Sequence, residues 1–120
     1  MVVELGQRKR AAGASMPQVR FSPAAIRDLE RLRTFLSPKN PAAAKRAGEA
    51  IIDGIRALGT HPNMGRTIDG LPEQFRDWLI PFGDSGYVAR YHFGDDLVTI
   101  LLVRHQKEMD WVGKGEDQIR

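Results

Sequence analysis

The stretch Tyr87–Arg104, YVARYHFGDDLVTILLVR, decides the fold of this chain. Tyr87 to Phe93 is predicted to form a strand, Gly94-Asp95-Asp96 a tight hairpin connection, and Leu97 to Arg104 the next strand. Leu97 to Val103 are nearly all apolar, and such a run is typical of a strand that is buried on both faces of a sheet. The second strand of the hairpin is therefore expected to be central.

Two further strands are predicted upstream of this hairpin. Phe75 to Phe82 has a strand-like period and is followed by the turn Gly83-Asp84-Ser85-Gly86. Gln18 to Phe21 alternates polar and apolar residues, which indicates a short strand. The residues from His61 to Gln74 are expected to be irregular, and Gly65 stands where a turn is expected to need a positive φ angle.

Two helices are predicted between the first strand and the other three. Ser22-Pro23 supplies an N-cap followed by proline at the first helical position, and Asn40-Pro41 repeats this signal. Ser37-Pro38 ends the first helix, because proline disfavours helical geometry in the residue before it, and Gly59 is expected to end the second. A connection of about four residues predicts an antiparallel helix hairpin. The apolar residues at helical spacing are Ile26, Leu29, Leu32 and Leu36 in the first helix and Ala44, Ala47, Ile51, Ile55 and Leu58 in the second.

The order of these elements predicts the fold class. It is an α+β fold with the order β-α-α-β-β-β, in which the helix hairpin packs on one face of a small, mainly antiparallel sheet. Nothing in the chain is expected to cover the other face fully, which leaves it open to a partner or substrate. Residues 16–112 are expected to form this domain, between a flexible N-terminal extension at 1–15 and a flexible C-terminal tail at 113–120.

Composition narrows the class of protein. A chain of 120 residues has room for one domain, and its lack of cysteine excludes disulfides, thiolate metal sites and a cysteine nucleophile. No apolar run approaches the ~20 residues of a membrane span, and Met1–Ser15 lacks the hydrophobic stretch of a secretory signal. The three histidines are not spaced like a zinc site. We therefore expect a cytoplasmic protein with no cofactor, no metal and no membrane contact.

The chain is mildly basic, with a formal net charge of +3 and a pI of about 9.6. An anionic partner explains this charge, and so does a general solubility charge. Basicity alone does not distinguish RNA, DNA and an acidic protein as partners.

The ordered set of motifs between Pro17 and Trp111 resembles the RelE/ParE family of type II toxins. No single motif is specific, but their order is. The motifs are Val19-Arg20-Phe21-Ser22-Pro23-Ala24-Ala25 with Asp28-Leu29, Asn40-Pro41-Ala42-Ala43-Ala44, Leu58 with His61-Pro62 and Gly65-Arg66, Phe75-Arg76, Gly86-Tyr87-Val88-Ala89-Arg90-Tyr91, and Val98-Thr99-Ile100-Leu101-Leu102-Val103-Arg104-His105. The resemblance implies a toxin of the ParE-like, plasmid-stabilisation type, which a cognate antitoxin neutralises in a toxin–antitoxin hetero-oligomer.

Members of this family act in two ways, and the shared fold does not choose between them. RelE-like members cut messenger RNA on the ribosome, whereas ParE-like members poison DNA gyrase without known hydrolysis of their own. RNA cleavage needs a base for the 2′-hydroxyl, a group that stabilises the phosphorane and an acid for the leaving oxygen. The candidate catalytic residues, if the chain is a nuclease, are Arg66, Arg76, Arg90, Arg104, His105 and Lys107.

The tyrosine that an mRNA-cleaving member is expected to carry near its C-terminus is absent. The chain has only two tyrosines, Tyr87 and Tyr91, and both lie in the hairpin. Trp111 is able to stack on a base, but it cannot transfer a proton. The resemblance therefore favours DNA gyrase as the target and no enzymatic activity. Two alternatives stay open, namely a ribosome-dependent, metal-independent mRNA endonuclease (interferase) and an inactive member that only binds antitoxin.

Basic residues near the end of the predicted sheet are the candidates for binding the target. Arg76, Arg90 and Arg104 lie on different predicted strands, and arginines on one face would converge into an anion site for phosphate or an acidic antitoxin helix. The alternative is three separate surface arginines that pair with acidic neighbours such as Asp77, Asp84 or Glu108. The residues expected to bind the target are Arg90, Arg104, His105, Lys107 and Trp111.

The position of two of these residues in their strands allows a further prediction. Strand alternation places Arg104 on the face of Val98 and Ile100. For His105, the alternative to acid or base chemistry is a hydrogen-bonded histidine at the end of a strand.

The helix hairpin carries the candidate antitoxin-binding residues. Leu32 and Phe35 lie beside the core face of the first helix, and Ile52 lies beside that of the second. They are either ordinary core residues or part of an exposed apolar groove. Such a groove fits an amphipathic antitoxin segment that folds as it binds.

Overall fold

The computed structural model describes residues 3–5, 17–36 and 38–108. In chain order, its elements are β1 (Val3–Leu5), β2 (Gln18–Phe21), α1 (Pro23–Leu36), α2 (Pro41–Thr60), β3 (Arg66–Thr67), β4 (Phe75–Phe82), β5 (Ser85–Gly94) and β6 (Leu97–His105). The two helices and the strands β2, β4, β5 and β6 were predicted. The short strands β1 and β3 were not indicated by the sequence pattern.

The six strands form one sheet in the order β1-β2-β6-β5-β4-β3. β2 and β6 are parallel, and every other neighbouring pair is antiparallel. The central position of β6 confirms the prediction from its apolar run. The helices and one face of the sheet enclose the core, so the predicted α+β fold class is also confirmed.

The ends of the predicted domain lie largely outside the described residues. The predicted N-terminal extension at 1–15 is described only at β1, which pairs antiparallel with β2. The predicted tail at 113–120 is outside the description, as is Trp111. Neither helix is long and apolar enough to cross a membrane, within the ranges that the structure covers.

Both helices begin at the predicted N-caps. The Ser22 hydroxyl accepts a hydrogen bond from the Ala25 N–H at 3.1 Å, and the Asn40 side chain accepts one from the Ala43 N–H at 3.0 Å. Each bond satisfies a donor in the first turn that has no carbonyl partner within the helix.

The prediction that Gly59 ends α2 is wrong. The helix continues to Thr60, and the N–H of His61 still bonds to the carbonyl of Ala57. Gly59 instead lets α2 approach β2, since an added Cβ would lie 3.3 Å from Cγ2 of Val19. Close packing between a helix and a strand therefore favours glycine here, rather than the backbone angle of a helix end.

Tyr91 fastens the loop after α2 to the sheet. Its hydroxyl donates to the carbonyl of Pro62 at 2.6 Å and accepts the N–H of Gly65 at 3.0 Å. Gly65 has no positive φ, contrary to expectation, since the glycines with positive φ in the described ranges are Gly70 and Gly83. A Cβ on Gly65 would instead lie 2.8 Å from the Tyr91 ring, so close contact is the reason for glycine there.

A free edge of β6 is closed by side chains. β2 ends at Phe21, opposite Ile100, whereas β6 continues to His105. Beyond that point β6 is still paired with β5 on its other side, but its backbone groups that point towards the β2 edge have no strand partner and must find others. The bonds are from the Ser22 hydroxyl to the Leu101 carbonyl at 3.3 Å, from the Val103 N–H to the Asp28 carboxylate at 3.0 Å, and from the His105 N–H to the Glu108 carboxylate at 2.8 Å.

A β-bulge interrupts the pairing of β5 with β6. Arg90 is opposite Leu102, but the residue after Arg90 is opposite Ile100, so Leu101 has no opposite residue. One extra residue reverses the alternation of the side chains. The predicted face of Arg104 is therefore wrong, because it lies on the face of Arg90 and not on that of Ile100.

We expect Tyr91→Phe to lower the free energy of unfolding by about 1–3 kcal/mol, because the buried N–H of Gly65 loses its acceptor. Urea denaturation measures this change. Tyr87→Phe is the matched control, since the described residues offer its hydroxyl no hydrogen bond, and it should cost less than half as much. Equal costs for the two variants would contradict the role given to the Tyr91 hydroxyl.

Candidate functional site

The sheet face turned away from the helices, which we call the open sheet face, is the first candidate surface. Strand register assigns residues to it. Val88 marks its centre, because this valine is buried and yet does not belong to the core between helices and sheet. Its other members include Arg20 of β2, Asp77 and Leu79 of β4, Arg90 and His92 of β5, and Thr99, Leu102 and Arg104 of β6.

Arg90 is held by an acidic neighbour on the open sheet face. Its Nε and Nη2 donate to the two carboxylate oxygens of Asp77 at 2.8 and 3.0 Å. The hydrogen bond and charge of Asp77 raise the pKa of Arg90, against the opposing effect of burial. A bidentate pair of this kind fixes the guanidinium plane. Asp77 was one of the acidic partners proposed from the sequence.

Arg104 reaches over the free edge of β6 to α1. Its Nε lies 3.5 Å from the Asp28 carboxylate, and this nitrogen is buried without a hydrogen-bond partner in the described part of the chain. Asp28 also accepts the Val103 N–H. Sequence reasoning missed Asp28, although an acid at helical spacing from Ala25 and Leu32 was a signal that one polar group enters the apolar side of α1.

Arg76 lies on the other face of the sheet. It is opposite Tyr91, a core residue, and its guanidinium binds backbone carbonyls. These are the carbonyls of Glu73, Asn63 and Gly65, at 3.1, 3.2 and 2.9 Å. The anion site expected from Arg76, Arg90 and Arg104 is therefore not assembled, because Arg76 faces away from the other two and secures a loop.

Arg66, another candidate, lies in β3 at the edge of the sheet. It is exposed and opposite Asp77 of β4. Arg66, Arg90 and Asp77 thus occupy one row across three strands.

The second candidate surface is a cavity of about 620 Å³ between α1, the β4–β5 turn and the end of β6. We call it the α1 cavity. Its apolar wall consists of Leu32, Phe35, Leu36, Phe82 and Tyr87, and its rim includes Arg31, His105, Lys107 and Glu108. Phe35 is 59% exposed. Sequence reasoning found part of this wall and rim but missed Arg31 and Phe82, and it named Glu108 only as an acidic partner for Arg76, Arg90 or Arg104.

His105 and Tyr87 lie side by side at the α1 cavity. Their rings stand edge to face with centroids 5.3 Å apart. The Nδ1 atom of His105 accepts the Lys107 N–H at 3.1 Å, which is the bonded strand-end arrangement considered as the alternative for this histidine. Burial raises the pKa of Tyr87, and the negative charge of Glu108 adds to this. A tyrosine with a raised pKa gives up its proton less readily, so it is poorly suited to be a base.

Glu108 ties the end of β6 to α1. Its carboxylate accepts hydrogen bonds from Arg31 at 2.8 and 3.4 Å and from the His105 N–H at 2.8 Å. Burial alone would raise the pKa of Glu108, but the His105 N–H and Arg31 hold it below its ordinary value.

The predicted antitoxin-binding residues lie along two neighbouring depressions. A groove of about 250 Å³ between α1 and α2 is lined by Leu32 and Ile52, and the α1 cavity is lined by Leu32 and Phe35. Leu32 belongs to the core and is 7% exposed. Phe35 is the exposed member, and the Lys39 ammonium lies 4.0 Å from its ring centroid, a cation–π contact.

The two surfaces divide the predicted target-binding residues. Arg90 and Arg104 are on the open sheet face, whereas His105 and Lys107 line the α1 cavity. Within residues 3–5, 17–36 and 38–108, no group of three or more potential metal ligands comes together.

Comparisons with known proteins agree with this geometry. Residues 19–110 match the family described as "ParE toxin of type II toxin-antitoxin system, parDE". The chain is 36% identical over 93 residues to Toxin RelE3 of Caulobacter vibrioides, covering 78% of this chain and 98% of that protein. It is 33% identical over 84 residues to Toxin RelE1 of the same organism, with coverage of 70% and 87%.

A solved structure has the same fold. A chain of the chromosomal ParDE TA system from P. aeruginosa superposes with a TM-score of 0.63 and 16% sequence identity, covering 77% of this chain and 98% of that one.

We expect the contribution of Glu108 to stability to depend on pH. Because its pKa is lowered on folding, the stabilisation is present above the pKa of the unfolded chain and is lost as the pH falls through the folded pKa. The Tm difference between wild type and Glu108→Gln should therefore be present at pH 7 and shrink below the ordinary glutamate pKa of 4.5. Glu49→Gln, at an exposed position on α2, is the control. A Tm difference that stays constant from pH 7 to pH 3 would contradict the role of the carboxylate.

Proposed function

The chain belongs to the ParE toxin family of type II toxin–antitoxin systems, and we propose that, as the toxin of such a pair, it inhibits DNA gyrase. Inhibition proceeds by protein–protein contact and needs neither a cofactor nor a hydrolytic step by the toxin. The cytoplasm, where gyrase acts on DNA, is the proposed location.

The observation that carries this proposal is the separation of the tyrosines from the arginines of the open sheet face. Both tyrosines of the chain belong to the core on the helix side of the sheet, whereas Arg90 and Arg104 are on the other side. The hydroxyl of Tyr91 is also occupied by two hydrogen bonds. An RNA-cleaving site needs a proton-transfer group beside the cations that stabilise the phosphorane, and these tyrosines do not supply one there.

We assign target binding to the open sheet face. Arg90 and Arg104 lie there at diagonal positions of neighbouring strands, where Cα atoms are typically about 7–8 Å apart. Each already has a carboxylate partner, Asp77 or Asp28, so their orientation is set before the target arrives. Arginine held in this way loses less rotamer freedom when it binds an anionic or carbonyl-rich surface.

We assign antitoxin binding to the helix side. Leu32, Phe35 and Ile52 form an apolar track across the groove between the helices and the mouth of the α1 cavity. An amphipathic helix of the cognate antitoxin fits such a track, with apolar side chains in the groove. The toxin and its antitoxin then form the expected hetero-oligomer.

The alternative is a ribosome-dependent mRNA interferase. The names of the Caulobacter relatives, RelE3 and RelE1, favour it, as does the proximity of His105 to Lys107 and Tyr87 at one cavity. In that case the catalytic candidates at the cavity are His105 and Lys107, and Arg66, Arg76, Arg90 and Arg104 act elsewhere or not at all. A member that only binds antitoxin would show neither activity.

The two activities are separated by parallel assays on the purified toxin. We expect inhibition of gyrase supercoiling and no cleavage of messages in a translating extract. Arg104→Ala should weaken gyrase inhibition about tenfold, equivalent to about 1.4 kcal/mol, whereas Arg27→Ala, at an exposed position on α1, should not. Full supercoiling at high toxin concentration would overturn gyrase as the target, and A-site cleavage of messages would establish the interferase instead.

Phe35→Ala tests the antitoxin surface. Because Phe35 is 59% exposed, its truncation should leave the fold intact and weaken binding of the cognate antitoxin at least tenfold, as expected of an aromatic anchor. Calorimetric titration measures the affinity. Leu71→Ala is the matched control, since Leu71 is another exposed apolar side chain, at 43%, in the loop before β4. Unchanged affinity for Phe35→Ala would contradict the assignment.

A further inference from the structure

Arg66 extends the open sheet face at its outer edge. Its strand β3 pairs antiparallel with β4, and this register puts Arg66 opposite Asp77. Residues that are opposite each other in a sheet project from the same face. The exposed Arg66 therefore stands beside the bidentate pair that Asp77 forms with Arg90.

The charge of Arg66 is available to a partner. Arg90 occupies both carboxylate oxygens of Asp77, and Arg104 lies 3.5 Å from Asp28. Arg66, in contrast, forms no ion pair with any residue that the structure describes. A cation that is not neutralised within the free toxin exerts its full attraction on an anionic group of the target.

An exposed leucine stands next to Arg66 on the same face. Leu79 lies two residues after Asp77 on β4, diagonal to Arg66, and is 40% exposed. Diagonal neighbours in a sheet are within reach of long side chains. A guanidinium beside an exposed apolar side chain is typical of surfaces that bind proteins, in which arginine is enriched, whereas a phosphate backbone offers the leucine no apolar contact. Arg66 and Leu79 therefore fit a carboxylate that is flanked by an apolar side chain on a protein.

The loop before Arg66 is fastened from the helix side of the sheet. β3 has only two residues, and so short a pairing holds little by itself. The Tyr91 hydroxyl bonds to Pro62 and Gly65, and the Arg76 guanidinium donates to the carbonyl of Gly65 at 2.9 Å. Gly65 directly precedes Arg66. These bonds fix the backbone from which Arg66 projects, so less conformational freedom is lost when it binds.

We propose that Arg66 contacts an acidic side chain of the target protein, next to an apolar contact at Leu79, and that Arg76 is the positioning residue of Arg66. This contact rests on the proposed function, in which gyrase meets the open sheet face. It adds a charge at the edge of that surface, where a cation acts mainly on the rate of association and on its dependence on salt. Arg76 acts through the carbonyl of Gly65 and does not touch the target.

Binding of purified gyrase to Arg66→Ala, measured by surface plasmon resonance at low and at high salt, tests the contact. We expect about fivefold weaker binding at low salt, mainly through slower association, and a smaller loss at high salt, because salt screens an exposed charge pair. Arg27→Ala removes the same charge from an exposed position on α1 and should bind like wild type. Wild-type affinity of Arg66→Ala, or an equal loss in Arg27→Ala, would overturn the contact.

The apolar half of the contact has its own variant. Leu79→Ala should also weaken the binding of gyrase, but the loss should be the same at low and at high salt, because burial of an apolar side chain does not depend on screening. Unchanged affinity of Leu79→Ala would overturn the place of the leucine in the contact.

The wild-type toxin distinguishes failure of this contact from failure of the proposed function. If wild type binds and inhibits gyrase and Arg66→Ala does so equally well, gyrase remains the target and the contact alone is overturned. If wild type does not bind gyrase, both are overturned. Duplex DNA without gyrase is the second probe, and binding of this DNA that is lost in Arg66→Ala would overturn the acidic protein group in favour of phosphate.

A double-mutant cycle tests the positioning role of Arg76. Arg76→Gln should weaken gyrase binding when Arg66 is present and have no further effect in the Arg66→Ala background, because the effect passes through Arg66. Its affinity for the cognate antitoxin, which is assigned to the helix side, should stay unchanged and reports that the fold is intact. Additive losses in the two backgrounds, or an equal loss of antitoxin affinity, would overturn the positioning role.

Discussion

The structure depends on how the free edge of β6 is closed. The central strand outruns its neighbour β2, and the N–H groups of Val103 and His105 would be unpaired without Asp28 and Glu108. An unsatisfied buried N–H costs about 1–3 kcal/mol. Because Asp28 belongs to α1, this requirement fixes the helix against the strand. Glu108 then turns the chain back towards α1, and the cavity lies between them.

The β-bulge opposite Arg90 determines which chemistry each face of the sheet can support. Without the extra residue in β6, Arg104 would lie with Ile100 in the core or force β6 out of the sheet. With it, Arg104 joins Arg90 on the open sheet face, while His105 joins Tyr87 on the helix side. The bulge thus places the guanidinium groups of Arg90 and Arg104 on one face of the sheet and the rings of Tyr87 and His105 on the other. These four residues lie close together on the paired strands β5 and β6.

Local signals predicted most of the fold, because caps, prolines and apolar periods act over a few residues. The N-caps Ser22 and Asn40 and the central strand β6 are examples. The candidate site was less predictable. The face of Arg104 depends on a bulge that strand alternation cannot reveal, and the partners of Arg76 are carbonyls of a distant loop. Gly59 and Gly65 allow close contacts between elements far apart in sequence. Local signals instead predicted a helix end at Gly59 and a turn with positive φ at Gly65.

The parallel pairing of β2 with β6 also governs when the toxin can form. Ser22 and Leu101, which meet at this junction, are 79 positions apart in the sequence, and contacts of such separation form late because a large loop must close first. The central strand is also the last to be synthesised among the strands that the structure describes. During translation the apolar surfaces of the helix hairpin and β2 therefore stay uncovered until β6 has left the ribosome, and uncovered apolar surface of this kind makes a nascent chain prone to aggregate.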